Sequence, residues 1–214
     1  MSIELLNMDC MDYMRGLPDK AFDLAIVDPP YGIRVGDNKA GMGRRKGSAR
    51  AAYKMGDWDH EPPPHEYFSE LMRVSQHQII WGANHFIDRV GRPSPCWIVW
   101  DKLFSHDVSF AACELAWTSF SSVAKKFAGA PNQASRIHPT QKPVRLYQWL
   151  LSNYAKPGQR ILDTHLGSAS SAIAAHYAGF NFVGTELDPD YYADAKARFE
   201  RETAQADMFA GGAA

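Results

Sequence analysis

Ten consecutive residues, Phe22 to Tyr31 (FDLAIVDPPY), limit what this chain can fold into more than any other stretch. Five of the six positions before the aspartate are apolar, the pattern of a strand buried on both faces. Two prolines then end it, because each lacks the N–H a ladder needs and stiffens its own backbone. The strand therefore stops in a rigid loop that presents the Asp28 carboxylate, two backbone carbonyls and the Tyr31 ring. In an open α/β sheet that carboxyl end is where ligands bind. A plain surface turn reads the same way in isolation, so the rest of the chain decides.

Around this stretch the elements alternate. Ile3 to Met8 reads as a short strand with Asp9-Cys10 at its end, and Met11 to Leu17 as a short helix broken by Pro18. Asp9 is a helix N-cap, a ligand group, or both. From His65 to His77 apolar residues recur at helical spacing, and Gln78 to Trp81 and Cys96 to Trp100 read as buried strands. Val144 to Tyr154 is a helix with Leu146, Leu150 and Leu151 on one face. The expected fold is α/β, a doubly wound and mostly parallel sheet, in one domain over residues 1–214. A chain of 214 residues that is 45% hydrophobic can bury one sizeable core.

A second half-site lies toward the C-terminus. Arg160 to Leu162 reads as a strand ending at Asp163, followed by THLGSAS and a helix of small residues, Ser170 to Ala178, closed by Gly179. A further strand, Phe182 to Thr185, ends at Glu186, 19 positions after Gly167. A small-residue turn with a later acid is a nucleotide-binding pattern, in which the carboxylate accepts hydrogen bonds from ribose hydroxyls. Ala169 stands where a dinucleotide fingerprint has its third small glycine-type position, which argues against a pyrophosphate cofactor. An adenosine-bearing cofactor without phosphate fits better, and S-adenosylmethionine is the common one. The last helix starts at Pro189 with Asp188 as its cap.

Taken together, Asp28-Pro29-Pro30-Tyr31, then His138-Pro139-Thr140-Gln141-Lys142-Pro143, with the Gly167-Ser168 turn after both, resembles the β-class DNA amino-methyltransferases of bacteria and phages. The resemblance implies an S-adenosylmethionine-dependent methyltransferase fold with a target-recognition region inserted between the two motifs, within about residues 34–60 and 103–137. It implies transfer of a methyl group to the N6 amino group of adenine in double-stranded DNA, with the base flipped out. Asp28, Pro29, Pro30 and Tyr31 match the family's catalytic tetrad. Asp28 and the Pro29 carbonyl would draw the amine's lone pair out of conjugation, and Tyr31 would stack on the base. Asp9 and Cys10 would hold the cofactor's adenine, Glu186 its ribose, and His138, Ser168 and Ser170 its carboxylate. In the family's Asp-Pro-Phe-x-Gly-Ser-Gly-Thr loop, Asp163, Gly167 and Ser168 agree, His165 and Leu166 occupy the Phe-x positions, and Ala169-Ser170 replace Gly-Thr. Cytosine-N4 transfer uses the same machinery, more often with Ser at the first tetrad position, and a non-catalytic DNA- or nucleotide-binding module is the reading from another class.

Charge bears on the partner. The total is only −1, but the stretch Gly32 to Lys54 carries Arg34, Lys39, Arg44, Arg45, Lys46, Arg50 and Lys54 against Asp37, a local +6. Such a run beside a catalytic edge suits phosphate-backbone contact. Lys125, Lys126 and Arg136 extend the expected DNA-binding set. Cys10, Cys96 and Cys113 show neither Cys-x-x-Cys spacing nor a nearby His pattern, so no metal and no disulfide is expected and a cytoplasmic setting follows. No apolar run approaches the roughly 20 residues of a membrane span. The resemblance also implies a homodimer.

Overall fold

The computed structural model describes residues 1–33, 59–104, 111–131 and 136–210, the last six of these as backbone only. Among the described residues eight strands form one sheet in the order β1-β8-β7-β2-β3-β5-β4-β6. They are β1 (Ile3–Asn7), β2 (Phe22–Val27), β3 (Ser75–Trp81), β4 (Trp97–Asp101), β5 (Cys113–Thr118), β6 (Lys125–Ala128), β7 (Arg160–Asp163) and β8 (Asn181–Glu186). Only β5 runs against its neighbours; every other pairing is parallel. The fold is the doubly wound, mostly parallel α/β sheet expected.

Alternation along β2 shows why helices cover both faces. Leu24 and Ile26 point into a core shared with α4 (Val144–Tyr154), α5 (Ser170–Tyr177) and α6 (Pro189–Ala210). Ala25 and Val27 point into the opposite core, with α1 (Cys10–Arg15), α2 (His65–Val74) and α3 (Ile87–Val90). A strand with both faces covered must be apolar at nearly every position, as FDLAIV is. Each large side chain buried there contributes about 1.5–3 kcal/mol.

One expectation needs correction. The helix expected over His65 to His77 ends at Val74, and Ser75 to His77 open β3 instead. The Ser75 hydroxyl donates to the Leu71 carbonyl at 2.5 Å, which closes the helix, and Ser75 then pairs with Phe22. The described residues 111–131 supply two strands of the sheet itself, and β5 is wedged between β3 and β4. No helix of the described residues is long and apolar enough to cross a membrane.

Candidate active site

The loop after β2 is held from three sides. The Asp59 carboxylate, buried at 4% exposure, accepts the backbone N–H of Tyr31 at 2.8 Å and of Gly32 at 2.9 Å. The Tyr31 side chain folds back so that its hydroxyl donates to Asp28 Oδ1 at 2.7 Å. Its ring stacks on His85, with centroids 5.3 Å apart and planes 17° from parallel. Gly82 makes room for this: a Cβ there would lie 2.1 Å from the Tyr31 ring, and its φ of +69° suits glycine.

Lys142, the lysine of His-Pro-Thr-Gln-Lys-Pro, reaches across to the same loop. Its Nζ lies 2.5 Å from Asp28 Oδ2, 3.0 Å from Glu114 Oε2 and 3.2 Å from the Tyr31 hydroxyl. Glu114, on β5, also binds Lys102 at 2.6 Å. Burial opposes charge on Glu114, but Lys142 and Lys102 outweigh it and hold the carboxyl down at about 2. Asp28 goes the other way: burial raises it, Glu114 adds to the rise, and Lys142 and the Tyr31 hydroxyl work against it. Burial disfavours the Lys142 cation, yet the two carboxylates more than compensate and keep it charged.

At the ends of β7 and β8 the backbone itself is organised by carboxylates. Glu186 accepts the N–H of Gly167 at 2.9 Å through one oxygen and that of Asp188 at 3.1 Å through the other. Gly167 and Ala169 both have positive φ, +53° and +59°, which carries the loop tightly into α5. Asp163 accepts from Ser171 Oγ at 2.6 Å and from the His165 N–H at 3.0 Å, so it braces the turn from behind. Burial first, tempered by those bonds, pushes its carboxyl up to about 7. Arg198 of α6, 2% exposed, donates to the Ser168 carbonyl at 2.8 Å and to Ser170 Oγ at 2.9 Å. His138 and His165 are both lowered to about 4 by burial, with Lys142 adding to the effect at His138, so both rings are neutral at pH 7. Burial, with Asp9 adding, pushes the Cys10 thiol up to about 12, where it is inert as a nucleophile.

These half-sites meet in one cavity of about 530 Å³, within the usual range for small-ligand pockets. Asp28 and Pro30 line it from one side, Asp9 and Cys10 from a second, and His165, Gly167, Ser168, Ser170 and Glu186 from a third. His138, Gln141 and Lys142 close it.

The model of the DNA methylase family (N6_N4_Mtase) matches residues 77–197. The chain belongs to the DNA methylase family. The matched stretch takes in Glu114, Lys142, the Gly167 turn and Glu186; Asp28 to Tyr31 lie before it. Among curated relatives, the methylase YubD of Escherichia coli (strain K12) is 26% identical and covers 89% of this chain and 87% of its own length. The type II methyltransferase M2.DpnII of Streptococcus pneumoniae is 25% identical over 92% of this chain and 90% of its own. Two solved structures share the fold. The DNA modification methylase TTHA0409 of Thermus thermophilus, complexed with S-adenosyl-L-methionine, superposes with a TM-score of 0.60 at 17% identity, covering 94% of this chain and 96% of its own. The cytosine-N4-specific PvuII DNA methyltransferase does so with a TM-score of 0.63 at 11% identity, covering 95% and 91%.

In this methylase the expected site residues divide by position. Asp9, Cys10, Asp28, His138, His165, Gly167, Ser168, Ser170 and Glu186 all border the cavity; Asp163 faces Ser171 behind it. Asp9 also caps α1, accepting from Met11 and Asp12. Pro29 is buried in the loop, and one face of the Tyr31 ring is covered by His85. Arg34, Lys39, Arg44, Arg45, Lys46 and Arg50 lie outside the described residues. Lys125 and Lys126 sit on the edge strand β6, the first over the Tyr154 ring at 5.2 Å and the second 3.3 Å from Asp101. Arg136 is half-buried at the approach to His138. Among the described residues no cluster of three or more His, Cys, Asp or Glu side chains can hold a metal. Sequence reasoning missed Asp59, Glu114, Lys102 and Arg198. It quoted Lys142 within a motif but gave it no task.

Proposed function

We propose that this DNA methylase transfers a methyl group from S-adenosylmethionine to the N6 amino group of adenine in duplex DNA. The observation that carries this reading is the Asp28 carboxylate opening into the cavity that Glu186 and the Ser168–Ser170 turn close on the other side. The residues present fit the cofactor. Glu186 offers oxygens to ribose hydroxyls, Cys10 and Met8 give an apolar wall for a base, and neutral His138 with the α5 N-terminus suits a carboxylate. Gln141, 3% exposed, has an Nε2 without a partner among the described residues, so one buried donor is available to a ligand. When bound, S-adenosylmethionine supplies a methyl group activated by its sulfonium.

The chain's own part is to prepare the amine. Adenine's amino lone pair is delocalised into the ring, and acceptors around its protons restore it to nitrogen. Asp28 and the Pro29 carbonyl are those acceptors. As nitrogen gains a carbon it must lose a proton, and in this reading Asp28 takes it. The buried site strengthens each of these interactions, and holding the amine in line supplies the rest of the acceleration. Bringing a flipped base onto Tyr31 displaces His85, which lies 5.3 Å from the ring centroid.

Aspartate at position 28 favours adenine over cytosine. The test is incubation with methyl-tritiated S-adenosylmethionine and mixed-sequence duplex DNA, then chromatography of the nucleosides. Label in N6-methyladenine is the expected result; label in N4-methylcytosine alone overturns the base assignment, and none in DNA overturns the function. Asp28→Asn should lower transfer by about a hundredfold or more while cofactor binding persists. The homodimer implied by the resemblance predicts a light-scattering mass of twice the 23.9 kDa chain.

A further inference from the structure

Four charged side chains from four separate stretches form one row that alternates in sign, Lys102, Glu114, Lys142, Asp28, with Lys142 buried and the other three partly buried. Lys142 is 3% exposed and lies over the Trp81 ring at 5.3 Å, so water cannot solvate its ammonium; its donors must all go to protein acceptors. They go to Asp28, Glu114 and the Tyr31 hydroxyl. Of the two carboxylates only Asp28 borders the cavity; Glu114 is set back on β5, behind Lys142. A carboxylate bound alone to a dry ammonium is a poor acceptor, because its charge is already spent. One that shares the ammonium with a second carboxylate keeps some of it.

We propose that Glu114 is a positioning residue for methyl transfer: by drawing on Lys142 from the side away from the cavity, it leaves Asp28 able to accept the hydrogen bond and then the proton of the target amine. Lys102 sets how strongly Glu114 draws, since it holds the other carboxylate oxygen at 2.6 Å. The proposal rests on Asp28 being the acceptor. Lys142 keeps its proton throughout; the proton lost by the amine passes to Asp28 and from there to solvent through the cavity.

The charge row makes the sign of each change definite. Among the described residues, the titratable and charged groups that act on Asp28 are Lys142 and Glu114, the Tyr31 hydroxyl, and more remotely Tyr67 of α2, Tyr147 of α4 and Asp163 of β7. His138 acts on Lys142 and is neutral at pH 7. Glu114→Gln removes a negative charge and hands Lys142 to Asp28, so Asp28 titrates lower. Lys102→Met makes Glu114 lean wholly on Lys142, so Asp28 titrates higher.

The experiment has two arms: carbon-13 titration of the Asp28 carboxyl in cofactor-free protein, assigned by its loss in Asp28→Asn, and the pH dependence of kcat for transfer to DNA. Glu114→Gln is expected to lower the Asp28 midpoint by about one pH unit or more and Lys102→Met to raise it. Glu114→Gln should also cut kcat about tenfold at neutral pH with the cofactor KM held within about twofold, and Glu114→Asp should restore the midpoint. Wild-type midpoints in both Glu114→Gln and Lys102→Met overturn the proposal. If Glu114→Gln does not fold, the upward shift in Lys102→Met decides. A wild-type protein that methylates no DNA sinks the functional reading, while the carbon-13 arm still decides whether Glu114 governs Asp28.

Discussion

Gly82 shows how a single atom can be excluded by chemistry elsewhere in the chain. A methyl group there meets three atoms of the Tyr31 ring at 2.1–2.4 Å, and the positive φ disfavours any side chain. Gly82→Ala should therefore expel Tyr31 from its bond to Asp28. It should cost about 1–3 kcal/mol of stability, read from urea unfolding, along with most of the transfer activity. The two neutral histidines make a second prediction. Their folded pKa, about 4, lies below the ordinary 6.5, so the unfolded chain binds more protons between those values. Each histidine therefore costs stability as pH falls from about 6.5 to about 4. Asp163, raised to about 7, has the opposite sign: its cost grows as pH rises from about 4 to 7. Relative to wild type, His165→Gln should gain thermal stability progressively as pH is lowered through that window. A pH-independent difference in Tm would show that the ring is not held neutral.

At the scale of elements, α6 does more than cover the sheet. It inserts Arg198 beneath the turn that connects β7 to α5, where the guanidinium ties the Ser168 carbonyl to Ser170 while Glu202 balances its charge at 2.7 Å. That brace holds the Ser168–Ser170 turn from outside. Arg198→Met leaves Glu202 and two buried acceptors short of a partner. It should cost about 3 kcal/mol of stability and weaken cofactor binding about tenfold by calorimetry. The strands show how much of an element is legible locally. FDLAIV and the run Gln78 to Trp81 are mostly apolar because both sheet faces are covered, and that pattern survives in one dimension. The boundary between α2 and β3 does not: Ser75 to His77 are polar and carry no strand pattern, and pairing with Phe22 and Leu24 brings them into the sheet.

For the molecule as a whole, the net charge of −1 hides an uneven distribution, with +6 concentrated between residues 32 and 54. Neutralising Arg44, Arg45 and Lys46 together should weaken DNA binding alike on all sequences. The slope of log K against log salt should fall by about 0.9 for each phosphate that is no longer neutralised, as fluorescence anisotropy across a salt series would show. An unchanged slope would place the DNA-binding surface elsewhere.

What the sequence by itself determined were the features written in neighbouring residues: strands as apolar runs, their ends at Asp28, Asp163 and Glu186, the tight turn at Gly167, and the order of the two motifs. Proline and glycine act on their own backbone, so their effect is local and legible. Tertiary structure alone decided the partners of those carboxylates. Lys142 lies 114 residues from Asp28 along the chain, and Glu114 reaches Lys142 because β5 runs backward between β3 and β4. An ion pair carries no periodicity and no spacing rule; it exists where the topology brings two side chains within about 4 Å in a place that excludes water.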